Sequence, residues 1–377
     1  MQGGLKKRKK EKMERRKKSQ VERQVEKLDR ELVARNARIF AEKGFQFTDK
    51  EGTPQREIVM EGVNELYRNP PSLNKALSRF STGKLEKLLD INIRKLRRER
   101  GIWNSDSRMD VYEIAEEPVK RNARCTAAIC TADGLLQKNS DFATLRVKNY
   151  GKAFNLCDCE RFHQQPVASG PMCSGFLVKK DVIATAGHCI DYLMRFIDKN
   201  DVTGLRFVFG YYMSGPSTPV TDIPLDDIYK GEEIIGRIYR RGGDQSDWAL
   251  VKLDRNVKGR ETVVLSGRDM SDTCKNPLYI IGYPVGLPLK YSPGASVGKI
   301  SDAYFSADLN VYCGSSGSPV FDSESNEVIG IVTVGDDRDF RLAGNCWKSV
   351  IYSRAGLEAE EPQCTRVSEF INSVDQL

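Results

Sequence analysis

Apolar positions follow two rhythms along the 377-residue chain. In the first hundred residues they recur every three or four positions within highly charged sequence. Val21, Val25, Leu28, Leu32 and Ile39 mostly keep this spacing in VERQVEKLDRELVARNARIFAEKG, which predicts a helix over 5–42 with a stop at Gly44. REIVMEGVNELYRNPP predicts a second helix, ended by Pro70 and Pro71. SLNKALSRFSTGKLEKLLDINIRKLRRERG predicts one or two more, ending at Gly101, with Leu85, Leu88, Leu89, Ile91 and Leu96 along one side of a small bundle. Residues 102–112 read as a junction. From about residue 110 the rhythm changes to short apolar or alternating runs. ATLRVKNY, SGFLVKKDVIATAG, GLRFVFGYY, EIIGRIYR, WALVKL, PLYIIGYP, SPVFDSE, VIGIVTVG and SVIYS each predict a strand, many punctuated by Gly or Pro. TRVSEFINSVDQL predicts a C-terminal helix. Strands in this number without intervening helices argue for an all-β barrel or sandwich. Two parts are therefore expected: a helical region over 1–105 and a β body over 110–377.

Composition agrees with a packed body. Apolar residues make up 40% of the chain, with 15 Phe and 14 Tyr, which excludes a fully disordered polypeptide. No apolar run approaches 18 residues, so no transmembrane helix is expected. Charge changes the picture only when it is divided. Residues 1–20 hold ten Lys or Arg against two Glu, a net of +8. Residues 1–100 carry 28 basic and 15 acidic side chains, a net of +13, and the remainder of the chain carries −6. The basic run over 6–18 reads as a solvated helical face, as weak electrostatic binding of nucleic acid or an anionic membrane, or as a nuclear-type address. No aromatic side chains interleave with it, which weakens a base-stacking role.

No apolar stretch follows the basic run, so a secretory signal is not expected, and glycine stands at position 3 rather than 2, outside the myristoylation pattern. That favours a cytoplasmic location. Ten cysteines, all after residue 120, point the other way, toward disulfides in a secreted or periplasmic protein.

Histidine occurs twice, as His163 and His188. His188 follows a predicted strand in Ala184-Thr185-Ala186-Gly187-His188-Cys189. Asp247 opens the strand of Ser246-Asp247-Trp248-Ala249-Leu250. Ser316 lies in Gly314-Ser315-Ser316-Gly317-Ser318-Pro319, again at a strand edge. Loops at strand ends on a rigid sheet can converge. His163 reads as a loop histidine. With Cys157 and Cys159 it would give three metal ligands and a C-x-C spacing that is not a usual zinc arrangement, so no metal site is expected.

These segments resemble the trypsin-like serine peptidases of the chymotrypsin fold. The similarity is nearest the bacterial branch of glutamyl endopeptidases and HtrA-type peptidases. TAGHC (185–189) resembles the family's histidine segment, Asp247–Leu250 its aspartate segment, GSSGSP (314–319) its nucleophile segment, and IIGYPVGLP (280–288) a GYPxG segment of the bacterial branch. The resemblance spans roughly residues 110–377. It implies a double six-stranded β-barrel and cofactor-free hydrolysis of peptide bonds in a protein or peptide substrate. By the family's roles, Ser316 is the nucleophile, His188 the general base and Asp247 its orienting carboxylate, with the backbone N–H groups of Gly314 and Ser316 as oxyanion hole. Gly314 and Gly317 allow the tight turn.

The resemblance also implies a disulfide between Cys173 and Cys189 around the histidine, with two buried thiols as the alternative in a reducing compartment. Cys313 is one residue out of step with the common family cysteine and is given no partner. Asn310 falls in the region of the substrate-pocket floor, and Thr333-Val334-Gly335 at the edge strand that pairs with substrate. Val332 stands where glutamyl endopeptidases place histidine, which argues against glutamate specificity. Neutral Asn310 weakens a Lys/Arg preference. Asp302, Asp308, Asp336 and Asp337 read as solvated loop carboxylates. Ser315 stands where many animal relatives carry the aspartate that binds a newly cut N-terminus, so maturation by that insertion is not expected. The N-terminal region is instead expected to regulate the body or to bind a regulatory partner. The competing reading, motivated by Gly187 and Ser315, is a pseudopeptidase or peptide-binding module with a basic tail.

Overall fold

The computed structural model describes residues 101–197, 201–239, 246–273, 275–334, 339–352 and 361–377. The expected helical region and its basic run lie outside them. The described residues belong to one compact unit, residues 97–377, which includes the stretch 102–112 read as a junction.

Two short strands open the described chain, β1 (Ile102–Trp103) and β2 (Met109–Asp110), followed by helix α1 (Glu117–Arg124). The next strands are β3 (Thr126–Thr131), β4 (Met172–Lys179), β5 (Val182–Thr185), β6 (Leu205–Val208), β7 (Ile228–Tyr239) and β8 (Asp247–Leu253). They form a closed barrel in the order β6-β7-β8-β5-β4-β3, shut by β3 against β6. Every residue of β3 is buried, as are all but one of β4 and all but one of β8. Such walls read as near-continuous apolar runs, because Ile129, Phe176, Ile183, Phe207 and Leu250 share one core cluster.

The remaining long strands are β9 (Leu278–Gly282), β10 (Lys290–Ala295), β11 (Val297–Ile300), β12 (Tyr304–Ala307), β13 (Pro319–Asp322), β14 (Val328–Val334), β15 (Ile351–Tyr352) and β16 (Gln363–Arg366). Seven of these and β2 form one sheet, ordered β11-β12-β16-β14-β13-β9-β10-β2. This corrects the expected double barrel. A barrel requires every strand to pair on both sides. Here the row ends on β2, two residues long, and on β11, whose Gly298, Lys299 and Ile300 are exposed and whose register against β12 shifts. Among the described residues there is one closed barrel, one open eight-stranded sheet and five smaller sheets of two or three strands, with short helices beside them.

The sequence pattern missed β3, β10, β11, β12 and β16. Pro293 and Gly294 mark a turn by composition, yet they sit within β10, where the register against β9 shifts. The expected C-terminal helix begins later than its pattern. Thr365 pairs with Ile331 and Tyr304 in the sheet, and the helix proper is α3 (Ile371–Asp375), counted after α2 (Gly187–Met194).

Candidate active site

His188 lies in the first turn of α2, directly after β5, and Asp247 is the first residue of β8. β5 and β8 are neighbours, with Thr185 opposite Ala249. The pairing places the histidine turn beside the aspartate. Asp247 Oδ2 lies 2.6 Å from His188 Nδ1, and Oδ1 accepts the His188 backbone N–H at 3.0 Å. An ionised carboxylate only accepts, so Nδ1 carries the proton. In the neutral ring Nε2 then holds a lone pair. The Tyr239 ring stands 5.9 Å from the imidazole, centroid to centroid.

Gly187 allows this approach. A Cβ there would lie 2.6 Å from the Ile238 carbonyl oxygen and 2.9 Å from that of Trp248. The residue that looked like a departure from the family pattern is therefore set by the backbone packed against it. Asp247 is itself fixed from the open sheet. Its N–H donates to Thr365 Oγ1 at 3.0 Å, and that hydroxyl lies 3.1 Å from the Asp247 carbonyl as donor. The preceding Ser246 donates to Glu369. Arg237 on β7 pairs with Asp191 in α2 at 2.6 Å.

Ser316 is buried in a turn that ends where β13 begins. The turn is held by Ser315 N–H to Tyr312 O at 2.9 Å, Gly317 N–H to Val332 O at 2.8 Å and Ser318 N–H to Ser315 O at 3.0 Å. Ser174 on β4 connects it to the barrel. The Ser174 N–H donates to Ser316 O at 2.9 Å, and its hydroxyl donates to Gly314 O at 2.9 Å. The Ser174 carbonyl accepts from Thr185 Oγ1 at 2.7 Å, three residues before His188. Gly317, at φ +84°, sits so close to this junction that a Cβ would overlap the Ser174 carbonyl oxygen and Thr185 Oγ1. The Ser316 turn and the histidine strand thus meet through one serine. The GYPVG segment packs behind: Tyr283 N–H donates to Ser174 Oγ at 3.0 Å, and Val285 N–H donates to Cys313 O.

Other expected residues fall as follows. Thr333 and Val334 are on β14, where Val334 pairs with Gln363. Gly335, Asp336 and Asp337 lie outside the described residues. Asn310 is buried with its side-chain amide turned onto residues 103–107. The expected Cys173–Cys189 bridge is absent. Both are buried free thiols in the barrel core, and burial followed by the Cys173 neighbour pushes the Cys189 thiol well up. A disulfide joins Cys157 to Cys346 instead, across 189 residues of sequence. It consumes one of the three ligands weighed for a metal, and no group of His, Cys, Asp and Glu suited to a metal occurs among the described residues. Also among them, no helix is long and apolar enough to cross a membrane.

Sequence reading missed Ser174, Thr365 and the 103–107 segment. The one available signal was a serine within the wholly apolar run of β4, since a polar group buried there must find partners.

Residues 173–331 match the family model described as a trypsin-like peptidase domain, a span that contains His188, Asp247 and Ser316. No curated protein sequence matches the chain. Similar solved structures include the VesB protease of Vibrio cholerae, at 15% identity over 71% of this chain and 66% of that chain, TM-score 0.38. A Glu endopeptidase in complex with MPD is similar at 14% identity over 73% of this chain and 100% of that one, TM-score 0.42. The chain therefore spans just under two thirds of the length of the Vibrio protease.

Proposed function

We propose that this protein is a serine endopeptidase that cleaves peptide bonds in protein substrates through Ser316, His188 and Asp247. The observation that carries the reading is the 2.6 Å contact of His188 Nδ1 with Asp247, on elements tied through Thr185 and Ser174 to the Ser316 turn. A serine hydroxyl is a weak nucleophile at neutral pH and needs a base. With Nδ1 protonated, Nε2 is the basic atom of His188. The roles follow the general Ser-His-Asp template. His188 Nε2 takes the Ser316 proton as Oγ bonds to the substrate carbonyl carbon. Asp247 stabilises the imidazolium so formed without taking its proton. The carbonyl oxygen becomes an oxyanion, received by the N–H groups of Gly314 and Ser316. His188 then gives its proton to the leaving amine as the C–N bond breaks, which leaves an acyl-Ser316. Water, deprotonated by His188, attacks the acyl carbon; the bond from that carbon to Ser316 Oγ then breaks, His188 returns the proton to Oγ, and the acid is released. The edge at Thr333–Gly335 receives the substrate backbone by strand addition. The basic first hundred residues regulate this domain or dock a partner.

The test uses the full chain and a fluorophosphonate probe, with adducts mapped by mass spectrometry. Labelling is expected at Ser316 and nowhere in Ser316→Ala. His188→Ala should slow it by roughly a thousandfold or more, and Asp247→Asn by about ten-thousandfold. A folded wild-type chain that leaves Ser316 unlabelled would overturn the reading.

A further inference from the structure

Asn310 spends its amide on the chain itself. Its Oδ1 accepts the Trp103 N–H at 2.6 Å. Its Nδ2 donates to Ser105 O at 2.8 Å and to Ser107 Oγ at 2.9 Å. Both amide hydrogens and one carbonyl lone pair are thereby engaged by one segment. The same segment follows the residues on either side. Asn104 Nδ2 donates to Asp308 Oδ2 at 3.2 Å, Gly101 bridges Val311, and the Arg108 guanidinium lies 4.4 Å from the centre of the Tyr312 ring. Contacts at 308, 310, 311 and 312 lead straight into the turn that presents Ser316. Ser315 closes that turn back onto Tyr312, where its hydroxyl also accepts the Tyr312 N–H at 3.2 Å.

The segment is anchored independently of the turn. Ile102 N–H donates to Val350 O at 2.8 Å and Asn104 N–H to Tyr352 O at 2.7 Å, so β1 runs beside β15. Arg108 is buried and holds Asp106 through Nε and Nη2, both at 2.9 Å. Asp110 pairs with Lys290 at 2.5 Å, and Gln165 bonds to both, at 2.7 and 2.8 Å. Arg108, Asp110, Gln165 and Lys290 are buried and Asp106 is partly buried, and the backbone is continuous through residues 101–110.

We infer that residues 101–110 are a built-in brace for the Asn310–Ser316 turn, and that Asn310 is a positioning residue instead of a residue that contacts substrate. This rests on the reading of Ser316 as nucleophile. Gly314 within the turn and Gly317 directly after it stand at φ +89° and +84°, a shape that regular strand pairing does not impose. Nucleophilic attack tolerates little misplacement, so an outside support that fixes the turn raises the rate of the bond-making step without changing how substrate is gripped. The brace acts in the uncut chain.

The test measures Ser316 labelling against probe concentration in full-length wild type, Asn310→Leu and Ser107→Ala, beside amide hydrogen exchange. Asn310→Leu removes all three hydrogen bonds at similar volume. Its maximal labelling rate should fall by roughly tenfold to a hundredfold, with the half-saturating concentration within about twofold of wild type. The amides of Ser315, Gly317 and Ser318 should exchange faster while those of β6 do not. Ser107→Ala should shift both readouts the same way by less. An unchanged maximal rate with a raised half-saturating concentration would make Asn310 a pocket residue and overturn the inference. So would unchanged exchange at Ser315, Gly317 and Ser318. If wild type is not labelled, the peptidase reading fails and the exchange comparison still decides the brace. If β6 also loses protection in Asn310→Leu, the variant has unfolded and Ser107→Ala carries the decision.

Discussion

The barrel and the open sheet each supply part of one site and are completed in different ways. The barrel closes on its own strands, and the His188–Asp247 contact joins neighbours in that closed wall. The sheet that leads into Ser316 does not close. Its edge at β10 is covered by β2, and its turn is held by residues about 200 positions earlier in the chain, as in the Trp103–Asn310 bond. The charges differ in the same sense. In the barrel, Lys252 and Glu232 pair at 2.9 Å with side chains 40% and 52% exposed. At the sheet edge, Lys290 and Asp110 are 2% and 3% exposed. A closed barrel satisfies its backbone internally, whereas an open sheet needs a segment from elsewhere, and here that segment carries buried charge.

The largest expected contrast comes from breaking one ion pair in each region. Asp110→Ala leaves Lys290 buried without its carboxylate and should cost about 3–5 kcal/mol of stability by urea unfolding. Glu232→Ala, at an exposed pair, should leave the midpoint unchanged. Equal effects would break the comparison. A smaller loss is expected inside the barrel from Gly187→Ala, whose methyl would meet the Ile238 and Trp248 carbonyls. About 1–3 kcal/mol is the cost of such overpacking. An unchanged melting temperature would show that the histidine turn can yield. The smallest effect is a pH dependence confined to the sheet edge. Burial pushes the Lys290 ammonium down to about 8, against the pull of Asp110. Its pKa is thus lower folded than unfolded, and between pH 8 and 10.5 the unfolded chain holds more protons. The Lys290 contribution to stability should therefore rise with pH across that window, by at most about 1.4 kcal/mol per unit, against the opposite trend of buried thiols such as Cys189. The stability of wild type relative to Lys290→Met should accordingly rise with pH, and a difference that stays flat would mean the ammonium is better solvated than its burial implies.

Much of the site was legible because its demands are local. A histidine in a glycine turn after a strand, an aspartate opening a strand and a serine between two glycines each show in a few consecutive residues. Most barrel strands were legible for the same reason: their apolar runs are short, continuous and bounded by turns. β3 was not, because TAAICT carries small residues that reveal their burial only once the barrel encloses them. β10 was not, because Pro293 and Gly294 mark a turn by composition and a strand only through the pairing with β9. The thiols show the limit most plainly. The family resemblance implied a bridge between Cys173 and Cys189, while the bridge joins Cys157 to Cys346, and no local pattern brings those two together.

The sequence by itself determined the basic charge of its first hundred residues, the strand-rich pattern of the β body, and the order in which His188, Asp247 and Ser316 occur, each at a strand boundary. These depend on periodicity and on short turns, which neighbouring residues encode. Only the tertiary structure decided that one sheet closes and the other does not, that Ser174 and Thr365 hold the site together, and that Asn310 faces the chain's own residues 103–107. Each of those is a hydrogen bond or strand pairing between residues far apart in sequence. Its energy depends on where the whole chain places both partners, so neither partner's local sequence can specify it.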